Sequence, residues 1–312
     1  MTTSTTTTTT TTTSSIPSRS GDGICARATW ARNATTVAGG NGNGSALSQL
    51  DNAVGFFVDD NQTVYVADSQ NHRIVKWERG GSSGQLVAGG YGKGNDTYHL
   101  DGPSDVVITR DGRMYIVDNG NRRILLWSQR AQSGEIVVKN ISAFGVALDD
   151  QSSLYVSVGG AGHVVKWPVN VSTGQVLISG LRAPHLMFVD QNQSVYVADT
   201  NNHRVIKIDN RTAKEISIVA GGFNGSNLAV PIGVVGDDLG TVYVSEFRYH
   251  RITRWPRGAK FGSVVVGGLG QGSRLDQLNY PTDLSFDLDG NLYVVDNWNA
   301  RVQKFAIDKS LC

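Results

Sequence analysis

One pattern recurs six times along the chain and keeps the same internal spacing each time. Every copy has a tyrosine in a short apolar stretch and a large apolar residue twelve positions later. Neighbouring tyrosines are 40 to 50 residues apart, whereas the twelve-residue offset does not vary. A fixed offset inside a variable period indicates a rigid hairpin whose insertions fall in loops. The pairs are Tyr65 and Trp77, Tyr115 and Trp127, Tyr155 and Trp167, Tyr196 and Ile208, Tyr243 and Trp255, and Tyr293 and Phe305.

Each copy divides into four short apolar stretches, which we label strands a to d. In the first copy they are residues 55–59, 63–67, 73–77 and 85–88, and β-branched residues dominate them. Glycine pairs follow most of the d stretches and permit a tight turn into the next copy. Periods of this length made of strands are typical of propeller blades. The sequence therefore predicts an all-β, six-bladed β-propeller with four-stranded blades over residues 25–312.

Two of the loops between strands b and c carry a recognisable motif. The run Asn71-His72-Arg73 follows Ala67-Asp68, and Asn202-His203-Arg204 follows Ala198-Asp199 in the fourth copy. These runs resemble the signature of the NHL-repeat family. The resemblance covers residues 34 to 307 and implies a six-bladed propeller, in agreement with the count of copies.

The sixth copy ends after strand c, at residues 305–307, so that its fourth strand is missing there. A matching stretch occurs at residues 35–40, whose sequence resembles residues 86–90 of the first copy. We predict that this N-terminal strand completes blade six, which would remove the exposed sheet edges of an open ring. The chain has two cysteines, Cys25 and Cys312, and each lies where the missing connection of blade six would run. We predict a disulfide between them.

Residues 1–24 differ from the rest of the chain because residues 2–13 are nearly all threonine and more serines follow them. Such a tract cannot bury apolar surface. We interpret it as a disordered stalk or linker, or as a low-complexity segment at the edge of a gene model. A disulfide implies an oxidising compartment, and nine Asn-X-Ser/Thr sequons agree with it. We expect an extracellular or cell-surface glycoprotein whose targeting segment or membrane anchor lies outside this chain.

Acidic and basic residues recur at fixed positions around the b–c loop. An acid follows the tyrosine by three residues and an arginine follows it by eight, except in the third copy, where Val158 and His163 occupy these positions. Their joint loss in one copy indicates that acid and arginine pair within a blade, because such a fork fixes the geometry of a turn. The predicted pairs are Asp68 and Arg73, Asp118 and Arg123, Asp199 and Arg204, Glu246 and Arg251, and Asp296 and Arg301.

Strand a should line the central channel of such a ring, and its first residues differ from copy to copy. The d–a and b–c loops should share one face, so that these residues should ring the channel mouth there. Carboxylates across a narrow channel can hold a divalent cation or a polar ligand, and the alternative is a polar lining filled with water. The candidates for this mouth are Ser104, Asp105, His185, Thr282 and Asp283.

The same face should expose aromatic side chains that could anchor a partner, although ordinary loop packing is an equal alternative. The candidates are Tyr91, Phe223, Phe247, Tyr249 and Trp298.

The function that these features favour is a non-catalytic, monomeric extracellular binding scaffold with a protein or glycan ligand. The net charge of +1 gives no reason to expect nucleic acid or an anionic membrane surface as a partner. One alternative is the substrate-binding propeller of a tripartite-motif-like ubiquitin ligase, whose zinc modules would need cysteine spacings that this chain lacks. Another is a metal-dependent lyase or lactonase. Of the three histidines that the lyases need, only His185 is well placed, and Asp105 with Asp283 is only part of a lactonase cluster.

Overall fold

A computed structural model describes residues 24–169, 171–209, 215–222 and 228–312. The predicted stalk lies outside this range except for Ile24. The described residues form six four-stranded antiparallel sheets arranged as the blades of a ring. The prediction of an all-β, six-bladed propeller is therefore confirmed. Within these ranges, every helical segment is too short or too polar to serve as a membrane-spanning helix.

The strands are numbered in chain order, and each blade is given from strand a to strand d. Blade one has β3 Ala53–Val58, β4 Val64–Asp68, β5 Arg73–Trp77 and β6 Gln85–Gly89. Blade two has β7 Pro103–Ile108, β8 Met114–Asp118, β9 Arg123–Trp127 and β10 Glu135–Lys139. Blade three has β11 Ala143–Leu148, β12 Leu154–Val158, β13 His163–Trp167 and β14 Gln175–Ile178.

Blade four has β15 Pro184–Val189, β16 Val195–Asp199, β17 Arg204–Asp209 and β18 Glu215–Gly221. Blade five has β19 Pro231–Gly236, β20 Val242–Glu246, β21 Arg251–Trp255 and β22 Ser263–Gly267. Blade six has β23 Pro281–Phe286, β24 Leu292–Asp296, β25 Arg301–Phe305 and the N-terminal β2 Thr35–Gly39. Short 3₁₀ helices occupy four b–c loops, at Ser69–Asn71, Thr200–Asn202, Phe247–Tyr249 and Asn297–Asn299.

The constant twelve-residue offset reflects the constant register of the b–c hairpin. In blade one Tyr65 lies opposite Lys76, and Val64 lies opposite Trp77. The same pairing recurs in blade four, where Val195 lies opposite Ile208. Strand a of blade one begins at Ala53, two residues before the predicted start, because Ala53 still pairs with Asp68 beyond an irregular stretch.

In blades three to six, the recurring tyrosine joins strand b to the turn between strands a and b by a hydrogen bond. In blade three the hydroxyl of Tyr155 donates to Oδ2 of Asp149 at 3.1 Å, and Nζ of Lys166 on strand c lies 3.0 Å from the same oxygen. Asp149 also accepts backbone N–H groups of its own turn through Oδ1. In these four blades the tyrosine is therefore both a core residue and part of a buried polar network.

Ring closure agrees with the sequence analysis and adds one element to it. Strand β2 pairs with β25, and Cys25 is disulfide-bonded to Cys312 with a Cα–Cα distance of 5.8 Å. Two further strands, β1 Thr29–Trp30 and β26 Ile307–Asp308, form a small sheet that we did not predict. Trp30 packs on Tyr243 and Phe286 and so fills the space between blades five and six.

Candidate functional site

The propeller has two faces, which we name by their connections. The loop face carries the b–c and d–a loops, and the turn face carries the a–b turns and the c–d connections. Strand a runs from the loop face to the turn face in every blade, because each a–b turn follows its C-terminal end. The first residues of each strand a therefore lie near the loop face.

The acids and arginines of the b–c loops pair within their blades. In blade two Nε of Arg123 lies 2.6 Å from Oδ2 of Asp118. Its other nitrogens donate to the backbone carbonyls of Asn95, Asp96 and His99 in the preceding d–a loop. The pairing thus fixes both kinds of loop on this face. The other pairs are Asp68 and Arg73, Asp199 and Arg204, Glu246 and Arg251, and Asp296 and Arg301, with separations of 2.6 to 2.8 Å.

Asp105 and Asp283 lie in the channel wall, where each carboxylate bridges two blades. Oδ2 of Asp105 accepts the backbone N–H of Val146 in blade three at 2.9 Å, and Oδ1 accepts that of Val106. Oδ2 of Asp283 accepts the N–H of Phe56 in blade one at 3.0 Å, and Oδ1 accepts that of Leu284.

Both carboxyl groups titrate abnormally. Burial, reinforced by the negative charge of Asp283, raises the pKa of Asp105 well above its usual range. Burial also raises the pKa of Asp283, to about 7, against the lowering effect of its two backbone hydrogen bonds. The two side chains are therefore close enough to interact electrically, although blade one separates them around the ring.

Ser104 and Thr282 are buried and connect neighbouring blades as well. The hydroxyl of Ser104 donates to the carbonyl of Phe144 at 2.8 Å, and that of Thr282 donates to the carbonyl of Val54 at 2.7 Å. Both side chains therefore have structural partners.

His185 lies half-buried on the loop-face side of the channel. Its ring stacks on Phe144 with a centroid distance of 4.5 Å. Its Nδ1 lies 3.0 Å from the carbonyl of Ala183 and 3.0 Å from the hydroxyl of Thr200, which itself donates to the carbonyl of Pro231. Because the two carbonyls require donors, Nδ1 carries the proton. Burial lowers the pKa of His185, so that the ring is neutral at pH 7.

The predicted divalent cation would need several ligands from different blades. Among residues 24–169, 171–209, 215–222 and 228–312, no three histidine, cysteine, aspartate or glutamate side chains lie together in a way that could hold a metal ion. Asp105 and Asp283 interact with each other, whereas His185 lies nearer the loop face, stacked on Phe144.

A cavity of about 1090 Å³ occupies the channel and opens on the turn face. All six strands a contribute to it, and the a–b turns of blades one to four form its rim. Asp105 and Asp283 belong to its lining. In the described part of the chain, the residues that precede these aspartates on strand a are not part of the lining. The cavity therefore ends at the level of Asp105 and Asp283, which we call the aspartate layer. We call it the turn-face cavity.

An aromatic cluster lies on the loop face of blades five and six. The ring of Tyr280 lies 4.7 Å from that of Phe247 and 4.4 Å from that of Trp298, measured between centroids. Trp298 is 59% exposed. Tyr249 is exposed nearby, with its ring 4.9 Å from the guanidinium carbon of Arg251. The structure thus brings two predicted anchors together through a residue that the sequence analysis missed. We call Phe247, Tyr280 and Trp298 the aromatic surface.

Tyr280 has an unusual backbone conformation. Its φ of 52° lies in the left-handed region, which bulky residues rarely adopt. The backbone N–H of Tyr280 donates to Nδ1 of His250 at 3.1 Å, and this bond holds the conformation. The only sequence signal for this conformation was the position of Tyr280 directly before Pro281, at the start of strand a.

The remaining predicted anchors lie elsewhere. Tyr91 is exposed and contacts Tyr98 and His99, in the d–a loop between blades one and two. Phe223 lies outside the described residues.

Beside Trp298 is a small polar groove of about 390 Å³. Ser273, Asn299 and Arg301 contribute to its lining. An exposed indole next to hydroxyl, amide and guanidinium groups offers a stacking surface and hydrogen-bond donors together.

These features define a six-bladed β-propeller whose loop face carries an aromatic cluster and a small polar groove. The family model of the NHL repeat matches residues 181–208 and 278–305, which hold strands a to c of blades four and six. The chain therefore contains NHL repeats at these two positions and folds as a six-bladed β-propeller, as its b–c motifs predicted. A search of curated proteins found no significant match.

Solved structures share the fold at low sequence identity. A protein of unknown function from Bacteroides thetaiotaomicron is 18% identical, with a TM-score of 0.69 over 90% of this chain and 76% of its own. An auxiliary nutrient binding protein from Bacteroides ovatus is 15% identical, with a TM-score of 0.70 over 90% and 77%. A virginiamycin B lyase from Staphylococcus aureus is 10% identical, with a TM-score of 0.60 over 84% and 97%. These likenesses establish the fold alone.

Proposed function

We propose that this propeller is a non-catalytic extracellular binding scaffold that acts as a monomer and recognises its ligand, a protein or a glycan, on the loop face. The observation that carries the proposal is the aromatic surface of Phe247, Tyr280 and Trp298. Trp298 is exposed and Phe247 and Tyr280 are half-buried. Aromatic rings in contact with one another provide a large apolar area that loses little side-chain freedom on binding.

The aromatic surface rests on a rigid frame. Tyr280 is fixed by His250, and the strand that follows Trp298 is held by the Asp296–Arg301 pair at 2.7 Å. Nδ2 of Asn299 donates to the carbonyl of Gly272 and to Asp296, which joins the b–c loop to the d–a loop. A surface that is already ordered before binding loses less entropy when a ligand arrives.

The groove beside Trp298 favours a glycan as the ligand. A sugar has an apolar ring face that stacks on an aromatic side chain, and its hydroxyl groups require polar partners such as the Ser273 and Arg301 side chains of this groove. The similar fold of proteins named for nutrient binding agrees with a binding role.

The Cys25–Cys312 disulfide supports an extracellular or cell-envelope location, because such bonds persist in oxidising compartments. The sequons agree with a secreted protein that carries N-linked glycans.

The test compares Trp298→Ala with Phe261→Ala, since both residues are exposed aromatics but Phe261 belongs to a c–d connection on the turn face. Wild type and both variants are screened on a glycan array and against secreted proteins, and hits are measured by biolayer interferometry. We expect Trp298→Ala to weaken binding at least tenfold, as for an interface anchor, and Phe261→Ala to leave it unchanged. Equal binding by all three proteins would overturn the proposal.

A further inference from the structure

The turn-face cavity has a volume of about 1090 Å³ and lies on the face opposite the aromatic surface. It is closed at the aspartate layer and open at the a–b turns. Thr109, at the a–b turn of blade two, follows Asp105 by four residues. At the rise of a β-strand this corresponds to a cavity depth of about 13 Å. The cavity is therefore a well long enough for an extended small molecule.

The wall of the well is apolar. Its lining between the two ends includes Val107, Leu148, Met187, Val189 and Val235. A ligand in this space needs an apolar middle section, because polar groups there would lose hydrogen bonds to water without finding partners.

The floor of the well carries two carboxyl groups, Asp105 and Asp283. Each of their four oxygens accepts one backbone N–H, and a carboxylate oxygen has a second acceptor position. These positions are available on side chains that line the cavity. The raised pKa values of both groups reflect burial without a counter-charge, and a cation at the floor would supply that charge.

The rim is also acidic. Asp59, Asp60, Asp150 and Asp190 belong to it, and Asp60 and Asp150 are exposed. Positively charged side chains also lie near these aspartates. Arg110 lines the rim, and Lys166 pairs with Asp149. The lining contains seven aspartates and one arginine, so acid remains in excess at both ends.

We propose that the turn-face cavity binds a linear aliphatic diamine, with one ammonium group at Asp105 and Asp283, its methylene chain along the apolar wall, and a second ammonium group at the rim. The order of acid, apolar wall and acid matches this class of molecule, since its charges are separated by methylene groups. A cation with a single charged end would leave one acidic layer without a partner.

The probe is octamethylenediamine, titrated into the full chain by calorimetry at low and at physiological salt. Octylamine has the same methylene chain and one charge, and octanoate carries the opposite charge. We expect octamethylenediamine to bind in a one-to-one ratio, octylamine to bind at least tenfold more weakly, and octanoate to give no binding.

The variants test the place of binding. Asp60 and Asp150 are exposed, so that Asp60→Asn with Asp150→Asn should leave the fold intact and weaken binding of octamethylenediamine roughly tenfold, as for two partly screened charge contacts. The matched control is Asp238→Asn with Asp289→Asn, which removes two exposed carboxylates from the a–b turns of blades five and six, outside the lining. We expect this control to bind octamethylenediamine as the wild type does.

Three results would overturn the proposal: equal weakening by the control variant, equal affinity for octylamine and octamethylenediamine, or absence of octamethylenediamine binding at millimolar concentration. Calcium chloride serves as a competitor. Binding of calcium without binding of octamethylenediamine would make the floor a metal site instead. Because Trp298 lies on the other face, the glycan test and the diamine test fail or succeed independently.

Discussion

The carboxylate of Asp283 accepts the backbone N–H of Phe56 at 3.0 Å, across the junction between blade six and blade one. Asp105 makes the equivalent bond to Val146, two blades further on. Glycine occupies the equivalent position in blades one, three and five, as Gly55, Gly145 and Gly233. The innermost layer of the ring therefore alternates between small and large residues, which allows six strands to approach the axis.

This alternation predicts that Gly55→Ala destabilises the protein. A Cβ atom at residue 55 would lie 2.7 Å from the carbonyl oxygen of Ser104 and closer still to the carboxylate of Asp105. We expect a loss of about 1–3 kcal/mol in the free energy of unfolding, as for other overpacked cores, measured by urea denaturation. Gly160→Ala is the control, because the nearest atom to its Cβ is 3.8 Å away. An equal effect of both substitutions would contradict the explanation.

The buried aspartates predict a dependence of stability on pH. The pKa of Asp283 is about 7 in the folded protein, against an ordinary value of 3.8. The folded state therefore holds a proton that the unfolded chain has released, and stability falls as the pH rises from about 4 through about 7. Each unit of pKa difference corresponds to about 1.4 kcal/mol.

The measurement is the urea midpoint at about pH 5 and about pH 8 for wild type and Asp283→Asn. We expect the fall in stability between the two conditions to be smaller in the variant, which cannot ionise at this position. Parallel falls in both proteins would show that other groups cause the effect.

Because acid and arginine pair within a blade, we expect the loss of one partner to cost more stability than the replacement of both. Arg123→Met leaves Asp118 buried and without its cation, which should cost about 3–5 kcal/mol. Replacing both residues by those of blade three, as Asp118→Val with Arg123→His, removes the buried charge and should cost less, because blade three folds with Val158 and His163. Urea denaturation of both variants gives the comparison. A double variant less stable than Arg123→Met would refute the pairing argument.

The parts of the fold that sequence predicted are those fixed by repetition. Strand c of blade one was predicted at 73–77 and observed at Arg73–Trp77, because the hairpin register recurs in every blade. Closure by β2 and the cysteine pair followed from counting strands. The short β1–β26 sheet could not be predicted, since two residues give no periodic signal.

The candidate site was harder to predict because it depends on how the blades meet. Sequence placed Asp105 and Asp283 at the channel mouth on the loop face, and the structure places them at the floor of a cavity that opens on the other face. Tyr280 has no special residue pattern around it, yet it joins Phe247 to Trp298. Both results depend on contacts between blades, which the repeat pattern within one blade does not contain.

The disulfide makes residues 25–312 a single covalent loop, because it joins two cysteines that are 287 positions apart in the sequence. A protease that cuts one exposed turn between blades would therefore open the loop without releasing a fragment, and the nicked molecule would run as one species until a reductant is added. The ring would thus tolerate one break in its backbone in a protease-rich environment outside the cell.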